Sequence, residues 1–251
     1  MKKHIIKYGL EFLVITLGLS LSFFVEYKRE RSYKEQLKEQ ALVRILGNIT
    51  QDLGDFEFNL EAHKLAIKSS DWILKNHKNL KDFSRDSIGF HLQIATTIVT
   101  TFVDNQEEYR SLQSSGLLEL IENENLAIGL QAKYVYNNWL KEQERQIELY
   151  RDKLEAHTSS LVELRTDEIE KLNSTYSGFL IDALYLGDFK LSNEVIYFLR
   201  SKRQEHLSYV GYLQYGITAN LSLVEIIKEE SGYEGSIEGR ITSDKKVPSF
   251  Y

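Results

Sequence analysis

Apolar residues recur along most of this chain at steps of three and four rather than two, the spacing of one face of an α-helix. The first run, residues 8–25, reads YGLEFLVITLGLSLSFFV and holds a single ionisable side chain, Glu11. It passes without a break into the charged segment EYKRERSYKEQLKEQ, where Leu37, Ala41, Ile45, Ile49, Leu53, Phe56, Leu60, His63, Ile67 and Leu74 continue a helical stripe. One helix is therefore predicted from the apolar run to about residue 74. The polar stretch 75–86 predicts the first loop. Residues 87–104 are crowded with β-branched types (Ile94, Thr96, Thr97, Ile98, Val99, Thr100, Thr101, Val103) and fit helix or strand; without a second strand candidate nearby, helix is predicted.

A short helix is predicted over 105–114, closed by Ser114-Ser115-Gly116, and Asn123 is placed to cap the next one. That helix, predicted over 124–165, carries Tyr136, Leu140, Gln143, Ile147, Tyr150, Leu154, His157, Leu161 and Leu164 as a heptad seam. Residues 167–187, with Tyr176, Leu180, Leu184 and Leu186, predict a shorter helix. A last long helix over 193–230, capped by Ser192 and closed by Gly232, shows a second seam: Ile196, Leu199, Arg203, His206, Val210, Leu213, Ile217, Asn220, Val224 and Ile227. Two such helices pack side by side at a shallow angle. The polar seam members fix the register or mark where the seam reaches water. The fold class is all-α: an N-terminal transmembrane helix continuing into a long helix, with an elongated, coiled-coil-like helical bundle as the body. The segments are a basic tail (1–7), the anchor (8–27), the bundle (28–231) and a glycine- and serine-rich tail (232–251), taken to be mobile.

Composition supports this reading. The one proline is Pro248, so nothing earlier forces a helix to break, and few turn signals are present for a sandwich or barrel. Cysteine is absent, which excludes disulfides and thiolate chemistry. Residues 1–38 hold eight basic and four acidic side chains in a chain whose totals are 31 and 37. An acidic body with a basic collar beside an apolar run suits a membrane surface and repels nucleic acid.

The uncharged core of the anchor, residues 12–25, is shorter than the ~20 residues of a usual span. Extending it over 5–27 supplies the length if Lys7 snorkels and Glu11 lies near an interface, with Tyr8 and Tyr27 at the two headgroup levels. No small-residue cleavage site follows, so an uncleaved anchor is expected rather than a signal peptide. Glu11, Ile15, Gly18 and Ser22 share one stripe, and Gly18 and Ser22 form a small-xxx-small pair that lets two helices approach in lipid. Glu11 is then an acid in an ion path or beside a partner helix, or a carboxylate resting near Lys7 in the headgroup zone.

Chemistry is sparse. Histidines 4, 63, 77, 91, 157 and 206 are scattered, and no metal-binding, phosphate-binding or nucleophile motif occurs. No catalytic residue, cofactor or metal is expected. Tyr209, Tyr212 and Tyr215 read as core or interface, and the acid run 142–148 as a solvated flank.

Gly9-Leu10-Glu11-Phe12-Leu13-Val14-Ile15-Thr16-Leu17-Gly18 running into a charged helix resembles the start of a bacterial family of single-span proteins known only as a domain of unknown function. The likeness continues through 97–123 (TIVTTFVDNQEEYRSLQSSGLLELIEN), at Tyr109, Leu112, Ser114, Ser115, Gly116, Leu118, Ile121 and Asn123. It covers about the first two-thirds of the chain and departs in the tail and in the serines of the anchor. It implies a single-pass bacterial inner-membrane protein and no activity. Lysine and arginine counts favour a cytoplasmic body, whereas the family's longer basic N-termini favour a periplasmic one. Tyr109, Ser114, Ser115 and Gly116 form a corner that is either structural or an interaction turn.

The expected function is non-enzymatic: a membrane-anchored scaffold or interaction subunit, a homo-oligomer held by the anchor stripe and the long helices. The alternatives are a subunit of an ion-coupled or channel-like assembly using Glu11, and a sensor ectodomain acting through a membrane-protein partner.

Overall fold

A computed structural model describes residues 2–165 and 182–235. The order is α1 (Lys2–Asn76), a 3-10 turn (Leu80–Asp82), α2 (Arg85–Thr97), α3 (Glu107–Ser114), a 3-10 turn (Leu117–Leu120), α4 (Glu124–Thr158), β1 (Val162–Leu164), β2 (Ala183–Tyr185) and α5 (Asn193–Ser231). The chain is all-α, with an elongated helical body on one very long N-terminal helix.

Helix ends fall where local chemistry puts them. The side chains of Ser84, Asn123 and Ser192 accept from the amides of Ser87, Leu126 and Val195, so α2, α4 and α5 each begin with a capped donor. Gly116 and Gly232 take positive φ (72° and 63°) at the corner after α3 and at the end of α5, a conformation that costs other residues dearly.

From Leu37 on, α1 is one rod of a bundle, and α5 lies against it antiparallel. Lys38 reaches Glu230, His63 meets His206, and Asp71 pairs with Arg203. On its other flank α5 runs antiparallel to α4, where Tyr136 donates to the Tyr212 carbonyl and His157 stacks near Phe198. The fourth position of the bundle is filled by a broken rod: α2, an extended strap over residues 98–106, α3 and the following turn. It descends α1 in antiparallel sense, as His91–Ser69, Thr100–His63, Asn105–Asp52, Glu108–Arg44 and Leu120–Lys38 contacts show. Among the described residues three larger hydrophobic clusters stack along the bundle, centred on Leu42 and Leu130, on Phe56 and Leu213, and on Ile73 and Leu199, and a smaller fourth joins Ala62 and Ala66 of α1 to Ile94 and Ile98.

Three sequence expectations are corrected. The helix predicted over 87–104 stops at Thr97, and 98–106 is extended, because six consecutive residues from Thr96 to Thr101 are β-branched and resist helical χ1 crowding. The helix predicted over 124–165 ends at Thr158, and 162–164 form β1 instead. The helix predicted over 167–187 is not found at its end. Residues 183–185 form β2, paired antiparallel with β1 in the register Val162↔Tyr185, Glu163↔Leu184 and Leu164↔Ala183. Its other members, Tyr176 and Leu180, lie outside the described residues, as does the tail beyond 235. The hairpin rides on α2, where a Cβ on Gly89 would fall 2.2 Å from the Ala183 carbonyl oxygen.

Candidate functional site

Extending the backbone between α2 and α3 frees amide groups inside the bundle, and buried polar side chains are gathered around them. Glu144 on α4 accepts the Phe102 N–H with both carboxylate oxygens, at 2.8 Å each. Asp55 on α1 accepts from Val103 at 2.9 Å, and Asp52, one turn earlier, from Asn105 at 3.1 Å. At the upper end, Lys202 on α5 donates to the carbonyls of Ala95 (3.1 Å), Thr96 (2.5 Å) and Ile98 (2.9 Å). It thereby closes the C-terminal end of α2, where the helix dipole favours a cation. The cation and the anions each answer a set of backbone groups that the strap leaves unpaired.

The charges are balanced within the bundle. Lys133 neutralises Asp52, both nearly fully buried. Asp104, on the strap itself, takes Lys141 at 2.6 Å, Asn137 at 2.9 Å and Gln106 at 2.9 Å. Burial raises Asp52 despite Lys133. For Asp104 burial works upward too, but the bonds from Lys141, Asn137 and Gln106 outweigh it and hold the carboxyl low.

At mid-height the two buried histidines of α1 and α5 meet Nδ1 to Nδ1 at 2.6 Å. His63 Nε2 lies 2.8 Å from the Thr100 hydroxyl, which donates to Glu144 at 3.0 Å. All four groups form one chain that crosses the bundle from α5 to α4. Tyr209 lays its ring against His63, with centroids 4.6 Å apart. Burial, with Lys202 adding to it, lowers His63 to about 3, and burial and His63 bring His206 well below its ordinary value. Burial raises Glu144 against the bonds from Phe102 and Thr100. Burial and the Arg151 charge bring Lys202 down to about 7. Among the described residues no three His, Asp or Glu side chains come together as a metal site.

The corner residues noted in the sequence lie in α3 and the turn that follows it. Tyr109 is buried and stacked on Tyr134 with centroids 4.3 Å apart. Ser114 and Ser115 turn their hydroxyls back to the Ser111 carbonyl at 3.2 and 2.8 Å, and Gly116 makes the left-handed turn. Glu11, Ile15, Gly18 and Ser22 all lie on the exposed first part of α1, away from the bundle; Glu11 sits 3.8 Å from Lys7, and nothing approaches within 4 Å of a Cβ added at Gly18.

Glu144, taken from sequence as part of a solvated flank, is buried. Lys202 escaped notice because its neighbour Arg203 fitted the seam; Tyr209, read from sequence as core or interface, is buried in the core. The signal was present: Leu140, Ile147 and Leu154 also fit a stripe with Lys133, Asn137, Glu144 and Thr158, every one of them buried. No protein-family model, curated protein or solved structure matches the chain.

Proposed function

We propose that this chain is a single-span, membrane-anchored scaffold or interaction subunit. The observation that carries the reading is the free part of α1. Residues 7–34 form continuous helix, every one exposed. That is a rod of about 42 Å. Its first portion presents Leu10, Phe12, Leu13, Val14, Ile15, Leu17, Leu19, Leu21, Phe23, Phe24 and Val25, each more than half exposed. A continuous apolar sleeve of that size is not stable in water and suits hydrocarbon. Among the described residues one helix is long and apolar enough to cross a membrane. Lys28 lies 5.0 Å over the Phe24 ring, its stem folded along the apolar surface as a snorkelling cation does at a headgroup boundary.

The stripe Glu11, Ile15, Gly18 and Ser22 is open all along the free rod and is available to the same stripe of a second copy. The Lys7–Glu11 pair supports a headgroup position for Glu11 over an ion path. The resemblance to the single-span bacterial family supports the inner membrane, with the bundle carried outside the cytoplasm at the end of the rod.

The test is extraction of membranes with alkaline carbonate. The full-length chain is expected to stay in the pellet and to yield only to detergent. Release into the supernatant, or mature protein lacking its first two dozen residues, overturns the reading. In detergent, Gly18→Leu is expected to lower the oligomer size; an unchanged size removes the stripe as the contact.

A further inference from the structure

The hydrogen-bond chain across the bundle has a direction fixed by its members. Glu144 accepts the Phe102 amide with both oxygens and the Thr100 hydroxyl with Oε1, so it acts as a carboxylate. Thr100 has given its one proton to Glu144 and must accept from His63, which puts the His63 proton on Nε2. His63 Nδ1 is then a bare lone pair and takes the proton of His206 Nδ1. The remaining nitrogen, His206 Nε2, is a lone pair, buried and with no hydrogen-bond partner among the described residues. The chain thus begins at an unpartnered base and ends at a carboxylate that holds the strap.

We propose that this chain is an acid-operated latch, in which a proton taken up at His206 Nε2 is relayed to Glu144 and loosens the strap over residues 98–106. The proton binds the Nε2 lone pair, and the Nδ1 proton of His206 passes to His63 Nδ1. The Nε2 proton of His63 passes to Thr100 Oγ1, and the Thr100 hydroxyl proton passes to Glu144 Oε1. One proton enters, one carboxylate becomes a carboxylic acid, both imidazoles stay neutral, and no electrons change hands. The Phe102 amide then faces a neutral acceptor, whose bond is about half as strong as one to a carboxylate. After this first step every ring nitrogen either carries a hydrogen or receives one. A second proton has only the lone pairs of His206 Nδ1 and His63 Nε2 left to take; on His206 Nδ1 it sets two N–H groups against each other across the 2.6 Å gap and separates α1 from α5.

The surrounding charges favour this order of events. From α1, Asp55 presses Glu144 toward its neutral form. From α5, the Lys202 ammonium opposes an imidazolium at either histidine. Tyr209, on the same helix, has its phenol pushed up by burial and by Glu144, and stays neutral. From α4, Arg151 and Glu155 act on Lys202 with opposite sign. The strap contributes the Thr100 hydroxyl. The first proton is thereby directed to Glu144 rather than held on a ring.

The test is amide hydrogen exchange on the full-length chain in detergent micelles, expressed as protection relative to the intrinsic rate at each pH. Between about pH 7 and about pH 5, protection of Phe102 and Val103 is expected to fall about tenfold. His206→Asn offers an amide N–H to His63 Nδ1 but cannot relay a proton, and its strap protection is expected to be the same at both pH values. Thr100→Val cuts the relay while leaving both rings, and carries the test if His206→Asn fails to fold. Unchanged protection in the unaltered chain overturns the latch. So does an equal loss in the unaltered chain and in the relay variants.

Discussion

Replacing Glu144 by leucine isolates what the strap requires of its carboxylate. The side chain is buried at 5% exposure and accepts from the Phe102 amide and the Thr100 hydroxyl. In Glu144→Leu the Thr100 hydroxyl can turn toward His63 if that ring changes tautomer, but the Phe102 amide has no second acceptor. A stranded buried donor costs about 1–3 kcal/mol, and the lost charge-assisted bond adds to it. The leucine recovers part of this, since burial already works against the Glu144 charge. The net loss is expected to be about 2–3 kcal/mol. Glu144→Gln keeps an amide oxygen for Phe102 and is expected to lose about 1 kcal/mol or less.

Urea unfolding of the full-length chain in micelles measures this, followed by the fluorescence of Trp72 and Trp139 and compared at constant m. Glu142→Leu is the matched control two residues away, where the carboxylate is exposed and pairs only with neighbours on its own helix; it is expected to leave the midpoint in place. A Glu144→Leu midpoint no different from that of Glu142→Leu refutes the reasoning, for Glu144 would then be an ordinary helix flank and the strap would stand without it.

Two glycines of opposite setting make a second comparison. Gly89→Ala drives a Cβ to 2.2 Å from the Ala183 carbonyl oxygen, a backbone atom that cannot step aside, and is expected to lose about 1–3 kcal/mol in the same urea assay. Gly54→Ala, in the middle of α1 with nothing within 4 Å of its Cβ, is expected to gain up to about 1 kcal/mol from helix propensity. Stability is also expected to fall on acidification. With His63 lowered to about 3 in the fold against 6.5 when unfolded, the unfolded chain binds the extra proton throughout that window, so stability is lost as pH drops below 6.5. At pH 5 this amounts to about 2 kcal/mol from His63 alone. His206 acts in the same direction, and Glu144, whose shift is upward, offsets part of it. A denaturation series against pH checks this, with His63→Gln expected to flatten the slope.

The long helices were legible because their seven-residue anchors are unambiguous. Leu140, Ile147 and Leu154 on α4, and Leu199, His206, Leu213, Asn220 and Ile227 on α5, belong to both the expected and the observed seams. The other member of most heptads was not, although Ile196 and Val224, at the two ends of the expected α5 seam, are buried. Sequence favours Tyr136, Gln143, Tyr150 and His157, whereas the fold buries Asn137, Glu144 and Thr158; on α5 it buries Lys202, Tyr209 and Gly216 in place of Arg203, Val210 and Ile217. Each helix is turned by about half the 100° step between residues. Hydrophobic periodicity assumes an apolar core, and here the core carries charge on that side, so the stripe of best hydrophobicity is not the stripe of burial.

The reason for that charge lies in the broken rod. A fourth continuous helix would satisfy its own backbone and present only side chains to α1, α4 and α5. Residues 96–101 cannot supply one, because β-branched side chains in succession crowd the preceding turn. The strap therefore brings unpaired amides and carbonyls into the interior, where each would otherwise be left without a partner. Asp52, Asp55 and Glu144 answer amides, Lys202 answers carbonyls, and Lys133 neutralises the acid that hydrophobic burial alone would not tolerate. Replacing Asp52, Glu144, Lys133 or Lys202 with a matching apolar residue leaves a buried backbone group or a charge stranded, whereas Val103, which Asp55 answers, is exposed. These polar positions and the β-branched run are thus a single feature of the sequence, read once in the segment that refuses to be a helix and again in the three helices that accommodate it.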